Sequence, residues 1–452
     1  MSRFPQKSVR FIIEGMKSAA TQIVRTLRRN GYEALLVGGC VRDLLLGLRP
    51  KDWDIATNAR PEEIMRLFQK TVPVGAQFGV VIVRKRGKNF EVATFRRDLG
   101  YDDGRHPAAV QFSDAAHDAR RRDFTINGMF FDPLKSKVLD FVGGRRDLKA
   151  GLIRAIGNPG ARIQEDKLRM LRAARFSARF NYPIEPKTRS AIQKYAGQIL
   201  EVSRERIREE MVMIFTQKNP DRGLELLDEL GLLKVILPEV ARMKAVPQPP
   251  QFHPEGDVFT HTRLMLKMMK NPSPELAFAV LLHDIGKPPT FRIAERIRFD
   301  GHTIAGAEIA RRILRRLRFS NRQIQAITAL VKEHLRFIDA PRMKESTLKR
   351  FVRLENFDWH LELHRLDCLA SHADLSTYRY VKKRLEQFRA EEKSHQARPR
   401  RLVTGDDLIE LGLTPGPIFR TILDKVEDAQ LDGKIQTREE ALELAKKLAG
   451  MR

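Results

Sequence analysis

Apolar residues set the reading frame of this chain. Met16, Ala20, Ile23, Val24 and Leu27 recur at helical spacing, and Asn30-Gly31 closes that run. The basic stretch before Met16 is expected to be loose. Leu35-Leu36-Val37 reads as a short buried strand, followed by Gly38-Gly39 and a helical turn or two from Val41 to Leu46 that Gly47 ends. Asp52-Trp53-Asp54-Ile55 starts the next strand, and Pro61 to Gln69 reads as a helix with proline in its first turn. Val80 to Val83 and Phe90 to Phe95 are strands; in the second, Phe90, Val92 and Thr94 alternate with Glu91, Ala93 and Phe95. Arg96 to Pro107 is polar and glycine-containing, and reads as a mobile loop. Val138 to Gly144 is a strand and turn.

The period then changes. Ile163 to Phe180 places Leu168, Leu171, Ala174 and Ala178 on one helical face, and residues 181 to about 250 continue as helices up to Pro247, Pro249 and Pro250. Lys382 to Arg401 reads as a charged linker or surface helix. Thr404 opens a helix, Pro415-Gly416-Pro417 turns, and Thr437 to Leu448 is amphipathic. The expected fold class is α+β: an N-terminal head with a small mixed sheet and helices (1–155), then largely all-α segments at 156–245, 246–400 and 401–452.

The 452 residues suit several domains, and a hydrophobic content of 42% suits ordinary cores. Lys+Arg is 83 against 57 Asp+Glu, a net charge of +26, which points to a polyanionic partner, nucleic acid before membrane. Cys40 and Cys368 are the only cysteines, so no disulfide framework is implied. The N-terminal MSRFPQKSVR lacks an apolar core, and no apolar run approaches the ~20 residues that span a bilayer. The expectation is a cytoplasmic protein without a membrane partner; the oligomeric state is not legible.

The chemistry gathers near Gly38-Gly39. Residues i and i+2 of a strand share a face, so Asp52 and Asp54 present adjacent carboxylates, which suit Mg²⁺ together with substrate phosphates. Glu91 is positioned to complete that cluster from a neighbouring strand, or is an exposed edge charge. In RRRDFTINGM, Arg122 suits phosphate, while Asp123 and Asn127 suit ribose hydroxyls. Asp166 and Arg169 lie three apart, which on an ordinary helix makes an ion pair.

GGCVRDLLLG followed by KDWDIAT resembles the signature of the class II nucleotidyltransferases, the family of CCA-adding tRNA nucleotidyltransferases, their CC-adding and A-adding relatives, and bacterial poly(A) polymerases. The resemblance implies catalysis by Asp52 and Asp54 with Mg²⁺, which Glu91 is expected to join, and nucleotide contacts from Arg122, Asp123 and Asn127, with Gly38, Gly39 and Arg42 expected beside them. The family pattern RRDFTIN usually continues with Ala or Ser; here Gly128 departs from it. The loop at Arg96 to Pro107 corresponds to one linked in the family to addition of the terminal A. EDKLRMLRAARF is similar to the family's nucleotide-selecting helix. A carboxylate beside a guanidinium presents acceptor then donor, complementing the N4 and N3 edge of cytosine and the N6 and N1 edge of adenine. Uracil and guanine reverse that order and leave polar groups unpaired, at about 1–3 kcal/mol per group. Asp166 and Arg169 are therefore the expected selectors, with Glu165 holding Arg169.

His261, then His283-Asp284, then Asp367, on successive helical stretches, resemble the HD metal-dependent phosphohydrolase domain, and His302 and His334 match histidines of a second metal position. A divalent transition metal is implied there; a domain kept only as a tRNA-binding scaffold is the alternative. Leu402 to Ile435 resembles the C-terminal segment of HD-containing CCA-adding enzymes. Together these imply template-independent addition of C and A from CTP and ATP to the 3′ end of tRNA, with pyrophosphate released. The alternatives are a poly(A) polymerase, a CC-only or A-only enzyme, an HD phosphohydrolase with an RNA-binding N-terminal part, and a pure RNA-binding protein.

Overall fold

The first helix, α1 (Gln6–Arg29), starts ten residues earlier than its apolar stripe. Its buried face, Ala20, Ile23, Val24 and Leu27, lies against β1 (Ala34–Val37), every residue of which is buried. In this computed structural model, residues 6–74, 78–101, 107–394 and 401–450 are described. They separate into two units, residues 1–241 and 242–452.

In the first unit, α2 (Gly39–Leu45), β2 (Asp54–Thr57), α3 (Pro61–Leu67), β3 (Thr71–Val72), β4 (Val80–Lys85) and β5 (Lys88–Thr94) follow β1. After β6 (Arg96–Tyr101), β7 (Pro107–Phe112) and α4 (Ala115–Arg120) come β8 (Met129–Asp132) and β9 (Lys137–Asp140). Seven strands form one sheet in the order β3-β4-β5-β2-β1-β8-β9; only β2 and β5 pair in parallel. Leu35, Val37, Ala56, Phe95 and Phe130 pack with Ala115 and Ala119 of α4 in one core cluster. Burial of each large side chain there contributes about 1.5–3 kcal/mol.

Two expectations change. Arg96 to Pro107 is not simply a loop: β6 and β7 form an antiparallel ribbon, with Arg96 opposite Phe112 and Asp98 opposite Val110. The tip, 102–106, lies outside the described residues. The helix expected over Ile163 to Phe180 is two helices. α5 (Gly144–Ala150) precedes α6 (Pro159–Glu165), which stops at Asp166 in extended conformation (φ −148°, ψ 103°) before α7 (Arg169–Phe180) begins. The Asp166 carboxylate accepts from the Leu168 N–H at 3.0 Å, a local bond that competes with helix continuation. α8 (Pro186–Tyr195), α9 (Arg204–Thr216), α10 (Pro220–Glu229), α11 (Leu233–Ile236) and α12 (Pro238–Ala241) complete the unit.

The second unit is mostly helical: α13 (Val258–Met268), α14 (Pro274–Leu282), α15 (Lys287–Thr290), a small ribbon of β10 (Arg292–Ile293) and β11 (Ile297–Arg298), α16 (His302–Arg316), α17 (Asn321–Glu333), α18 (Glu345–Val352), α19 (Phe357–Ala370) and α20 (Ser376–Ser394). Far from being only a surface helix, α20 puts Val381, Leu385 and Phe388 into a core with Phe337, Phe351 and Phe357. α21 (Gly405–Glu410), α22 (Pro417–Leu431) and α23 (Arg438–Leu448) share a separate small core around Leu408, Ile422, Val426 and Ala441. Thr404 and Thr437 form capping boxes with Asp407 and Glu440. Among the described residues no helix is long and apolar enough to cross a membrane.

Candidate active site

In the first unit, parallel pairing of β2 with β5 sets Ile55 opposite Val92, so Asp54 and Glu91 are the next pair along. Both line a cleft of about 200 Å³ with Val80, Arg96, Arg121 and Arg122. Asp52 stands just before β2 and is exposed. Burial raises the Asp54 carboxyl, and the Glu91 charge raises it further; Arg122 opposes, Asp52 adds, and the balance is about 6. A buried carboxylate raised in this way by two acidic neighbours suits a divalent cation. Gly38, at φ 77°, leaves room for the cluster: a Cβ there would lie 3.1 Å from Arg122 Nη1 and 3.9 Å from Asp54 Oδ2.

The other residues expected at the nucleotide fall into two groups. Arg122 reaches the cleft while its guanidinium also donates to Asp118 at 2.9 and 3.2 Å. Asp123, Asn127 and Arg42 are instead buried and joined to each other. Asn127 donates to Asp123 at 3.1 Å and accepts from Arg42 at 2.5 Å. Arg42 also donates to Asp43 and lies over the rings of Phe176 and Phe180, so its guanidinium is engaged in support of the site. Asp43 accepts in turn from Arg179 at 3.2 Å. Three residues that the sequence reading missed complete this network: Arg172 makes two hydrogen bonds to Asp123 and lies 3.7 Å from Glu210, which pairs with Arg175 at 2.8 Å.

Asp166 and Arg169 do not pair with each other, because Asp166 is not helical. Asp166 Oδ2 accepts from Arg206 at 2.8 Å, a partner 40 positions away that pattern cannot reveal. Arg169 donates to Glu165 at 2.7 Å and to the carbonyls of Arg162 and Arg121 at 2.8 and 3.1 Å. Acceptor and donor are thus each fixed by other partners. Gly128 is also explained: a Cβ would lie 2.7 Å from Val142 and 3.1 Å from Ile156, which fill the space an alanine would need.

In the second unit, His261, His283, Asp284, His302, His334 and Asp367 converge. The groups His261–His283–Asp367 and Asp284–His302–His334 each have ligand atoms close enough to hold one ion. Asp284 lies between the two: Oδ2 is 3.1 Å from His283 Nε2, and Oδ1 is 3.6 and 3.7 Å from His302 and His334 Nε2. His302 Nε2 and Asp284 Oδ1 are buried without hydrogen-bond partners, while Nε2 of His261 and of His283 faces a carboxylate oxygen of the same cluster at 3.1 Å, as a set of metal donors would. Lys287 donates to Asp284 at 2.7 Å and to Gln248 at 2.6 Å. Gly286 admits α16 here, since a Cβ would strike the His302 carbonyl.

Residues 34–154 match the family model of the poly A polymerase head domain, 181–244 that of the probable RNA and SrmB-binding site of polymerase A, and 257–375 that of the HD domain. The chain is 44% identical over 211 residues to a CCA-adding enzyme of Ligilactobacillus salivarius, covering 46% of this chain and 52% of that one. It is 41% identical over 214 residues to that of Geobacillus stearothermophilus, covering 47% and 53%. The chain spans about half the length of the curated relatives it matches. Among solved structures it resembles the Bacillus stearothermophilus CCA-adding enzyme in complex with CTP, with TM-score 0.71, 26% identity and coverage of 96% and 98%. The fold also resembles the Thermotoga maritima CCA-adding enzyme complexed with tRNA-CCA, with TM-score 0.56, 21% identity and coverage of 99% and 96%.

Proposed function

We propose that the chain is a member of the family of class II CCA-adding tRNA nucleotidyltransferases and poly(A) polymerases, with an HD domain in its second half, and that it adds C and A from CTP and ATP to the 3′ end of tRNA. The family uses divalent metal. Asp52, Asp54 and Glu91 would hold Mg²⁺, which when bound supplies charge neutralisation at the triphosphate and a more acidic 3′-hydroxyl. The reaction joins the RNA 3′-oxygen to the α-phosphorus and releases pyrophosphate. Arg122, with Arg96 and Arg121 in the same cleft, meets the triphosphate charge. Gly38 and Gly39 let the substrate approach the backbone. Asp123 and Asn127, fixed by Arg172 and Arg42, take the ribose side of the site. Positioning and charge neutralisation carry the rate.

Base choice rests on Asp166 as acceptor and Arg169 as donor, steadied by Arg206 and Glu165. The surplus of +26 suits duplex RNA held by shape and phosphate contacts, with affinity falling as salt rises. We divide the chain into a head (1–155), a neck (156–245), an HD domain (246–400) and a C-terminal segment (401–452). The HD cluster would hold one or two divalent transition-metal ions and confer phosphohydrolase activity. Two buried thiols suit the reducing cytoplasm.

The observation that carries the reading is the Asp54–Glu91 pair in a cleft shared with Arg122. The test is product sequence on a tRNA lacking its CCA, given CTP, ATP or both. Stopping after C-C-A is the expected result. C-C only, or A only on a C-C end, would make it half of a two-enzyme system; a long A tract on any RNA would make it a poly(A) polymerase. No addition under any condition would overturn the assignment.

A further inference from the structure

The four histidines of the second unit's cluster all turn Nε2 inward, but they are not held alike. His283, His302 and His334 each bring Nδ1 to a backbone carbonyl three residues back, those of Val280, Phe299 and Val331, at 2.9, 2.8 and 2.7 Å. His261 instead brings Nδ1 to Glu255 Oε1 at 2.6 Å. A carboxylate only accepts, so the His261 Nδ1 carries a proton there, and Nε2 is the ring atom left to ligate when a metal displaces any proton it holds. That Nε2 is buried and lies 3.1 Å from Asp367 Oδ1, a fellow member of the same ligand group.

Glu255 is half-buried as a residue, but its side chain is only 7% exposed, and it stands outside any helix or strand in the segment before α13. The same Oε1 accepts from His253 Nδ1 at 2.9 Å, and the rings of His253 and His261 stand edge to face with centroids 4.9 Å apart. Glu255 Oε2 is buried with no partner, so the carboxylate is committed to these two imidazoles. Geometrically, His253, Glu255 and His261 also qualify as a metal-ligand trio. Both Nδ1 atoms point at an acceptor-only oxygen and hold protons, which leaves no lone pair there for a metal.

We propose that Glu255 is a positioning residue of the HD metal centre: it orients His261 and strengthens it as a ligand through the one charged outer contact among the four histidines. An ionised acceptor makes the imidazole a better donor to a divalent cation than a neutral carbonyl does. The position held by His261, His283 and Asp367 thereby gains affinity over the one held by Asp284, His302 and His334. His253 shares the carboxylate but does not contribute a ligand. The inference rests on the metal-centre reading proposed above.

The test is Co²⁺ binding to the full chain carrying Asp54→Asn, which removes the head carboxylate cluster from the count. Affinity is read by competition with a chromogenic chelator and coordination by the visible Co²⁺ spectrum, with cooperative melting in EDTA as the folding control. In that background Glu255→Ala is expected to weaken one Co²⁺ site by roughly 10–100-fold and to alter its spectrum. Glu255→Gln, which keeps an accepting oxygen but no charge, is expected to fall between and keeps the test sound should the alanine variant misfold. His253→Ala is expected to leave Co²⁺ affinity within about threefold, since a ligand role would cost far more. Unchanged affinity and spectrum in Glu255→Ala would overturn the role of Glu255 and leave the metal centre standing. Loss of a third bound Co²⁺ in both Glu255→Ala and His253→Ala would overturn it in favour of direct ligation. No Co²⁺ bound with Glu255 intact would overturn the metal centre and the proposal together.

Discussion

Asp123 and Arg172, 49 positions apart, are joined by two hydrogen bonds of 2.8 and 2.6 Å to a single carboxylate oxygen. The other oxygen accepts from Asn127 and from the Phe124 N–H at 2.7 Å. Burial would raise this carboxyl, but the Arg172 charge, the Asn127 amide and the remaining donors outweigh it and hold it down at about 2. The pair therefore ties α7 to the ribose side of the head site.

Removing the guanidinium leaves a buried, ionised carboxylate short of its counter-charge. Arg172→Ala is expected to cost about 3 kcal/mol of stability in the first unit and to raise the KM for both CTP and ATP. Arg172→Lys restores the charge but not the two-pronged contact, and should recover only part of each loss. Urea unfolding with steady-state kinetics decides it; an alanine variant with wild-type stability and KM would show the pair to be incidental.

Asp54 has the opposite character. Its folded carboxyl is raised to about 6 from an ordinary value of 3.8, so its ionised form destabilises the metal-free fold near neutral pH. Asp54→Asn should reduce nucleotide addition by roughly 10³-fold. It should also stabilise the first unit in EDTA by about 1–2 kcal/mol, the exchange of stability for function expected at a charged active site. Mg²⁺ should raise the melting temperature of the wild type more than that of the variant. A melting temperature in EDTA equal to or below wild type would contradict the electrostatic account of this cluster.

Local chemistry made the head site legible. The apolar run at Leu35, the glycine turn and the Asp52/Asp54 spacing each act within a few residues, and the register of β2 on β5 sets Glu91 beside Asp54. What escaped was long-range or subtle. Nothing near Asp166 announces Arg206, and the helix break there depends on one side-chain bond to the Leu168 N–H. Glu255 stands in an aperiodic stretch; its only signal was an acid lying between His253 and His261. The core role of α20 was visible, since Val381, Leu385 and Phe388 recur at helical spacing, but high charge density masked it.

Gly128 yields a test of packing against family pattern. An alanine β-carbon would stand 2.7 Å from Val142 Cγ2 and 3.1 Å from Ile156 Cδ1, so both side chains must move. The backbone itself is unstrained for alanine, at φ −91° and ψ 10°, so any cost is packing alone. Gly128→Ala is expected to destabilise the first unit by about 1–3 kcal/mol, and Val142→Ala in the same chain to recover much of it. Additive losses in the double variant would rule out that collision as the cause.

Acid should loosen the second unit through two of its buried histidines. His364 stacks on Phe337 with centroids 4.4 Å apart, and His360 is buried beside Phe357 with its Nδ1 unpartnered. Burial lowers both from the ordinary 6.5 to about 4. The folded state then binds fewer protons than the unfolded state between those values. The stability they contribute is complete above pH 6.5 and is lost as pH falls toward 4. Between pH 7.5 and 5.0 the loss is about 2 kcal/mol for each histidine. Urea unfolding of the second unit at those two pH values should show it, and His360→Leu with His364→Leu should remove most of the difference while leaving other titrations in place. An unchanged pH dependence in the double variant would assign acid sensitivity to other groups, the cluster around Asp284 first among them.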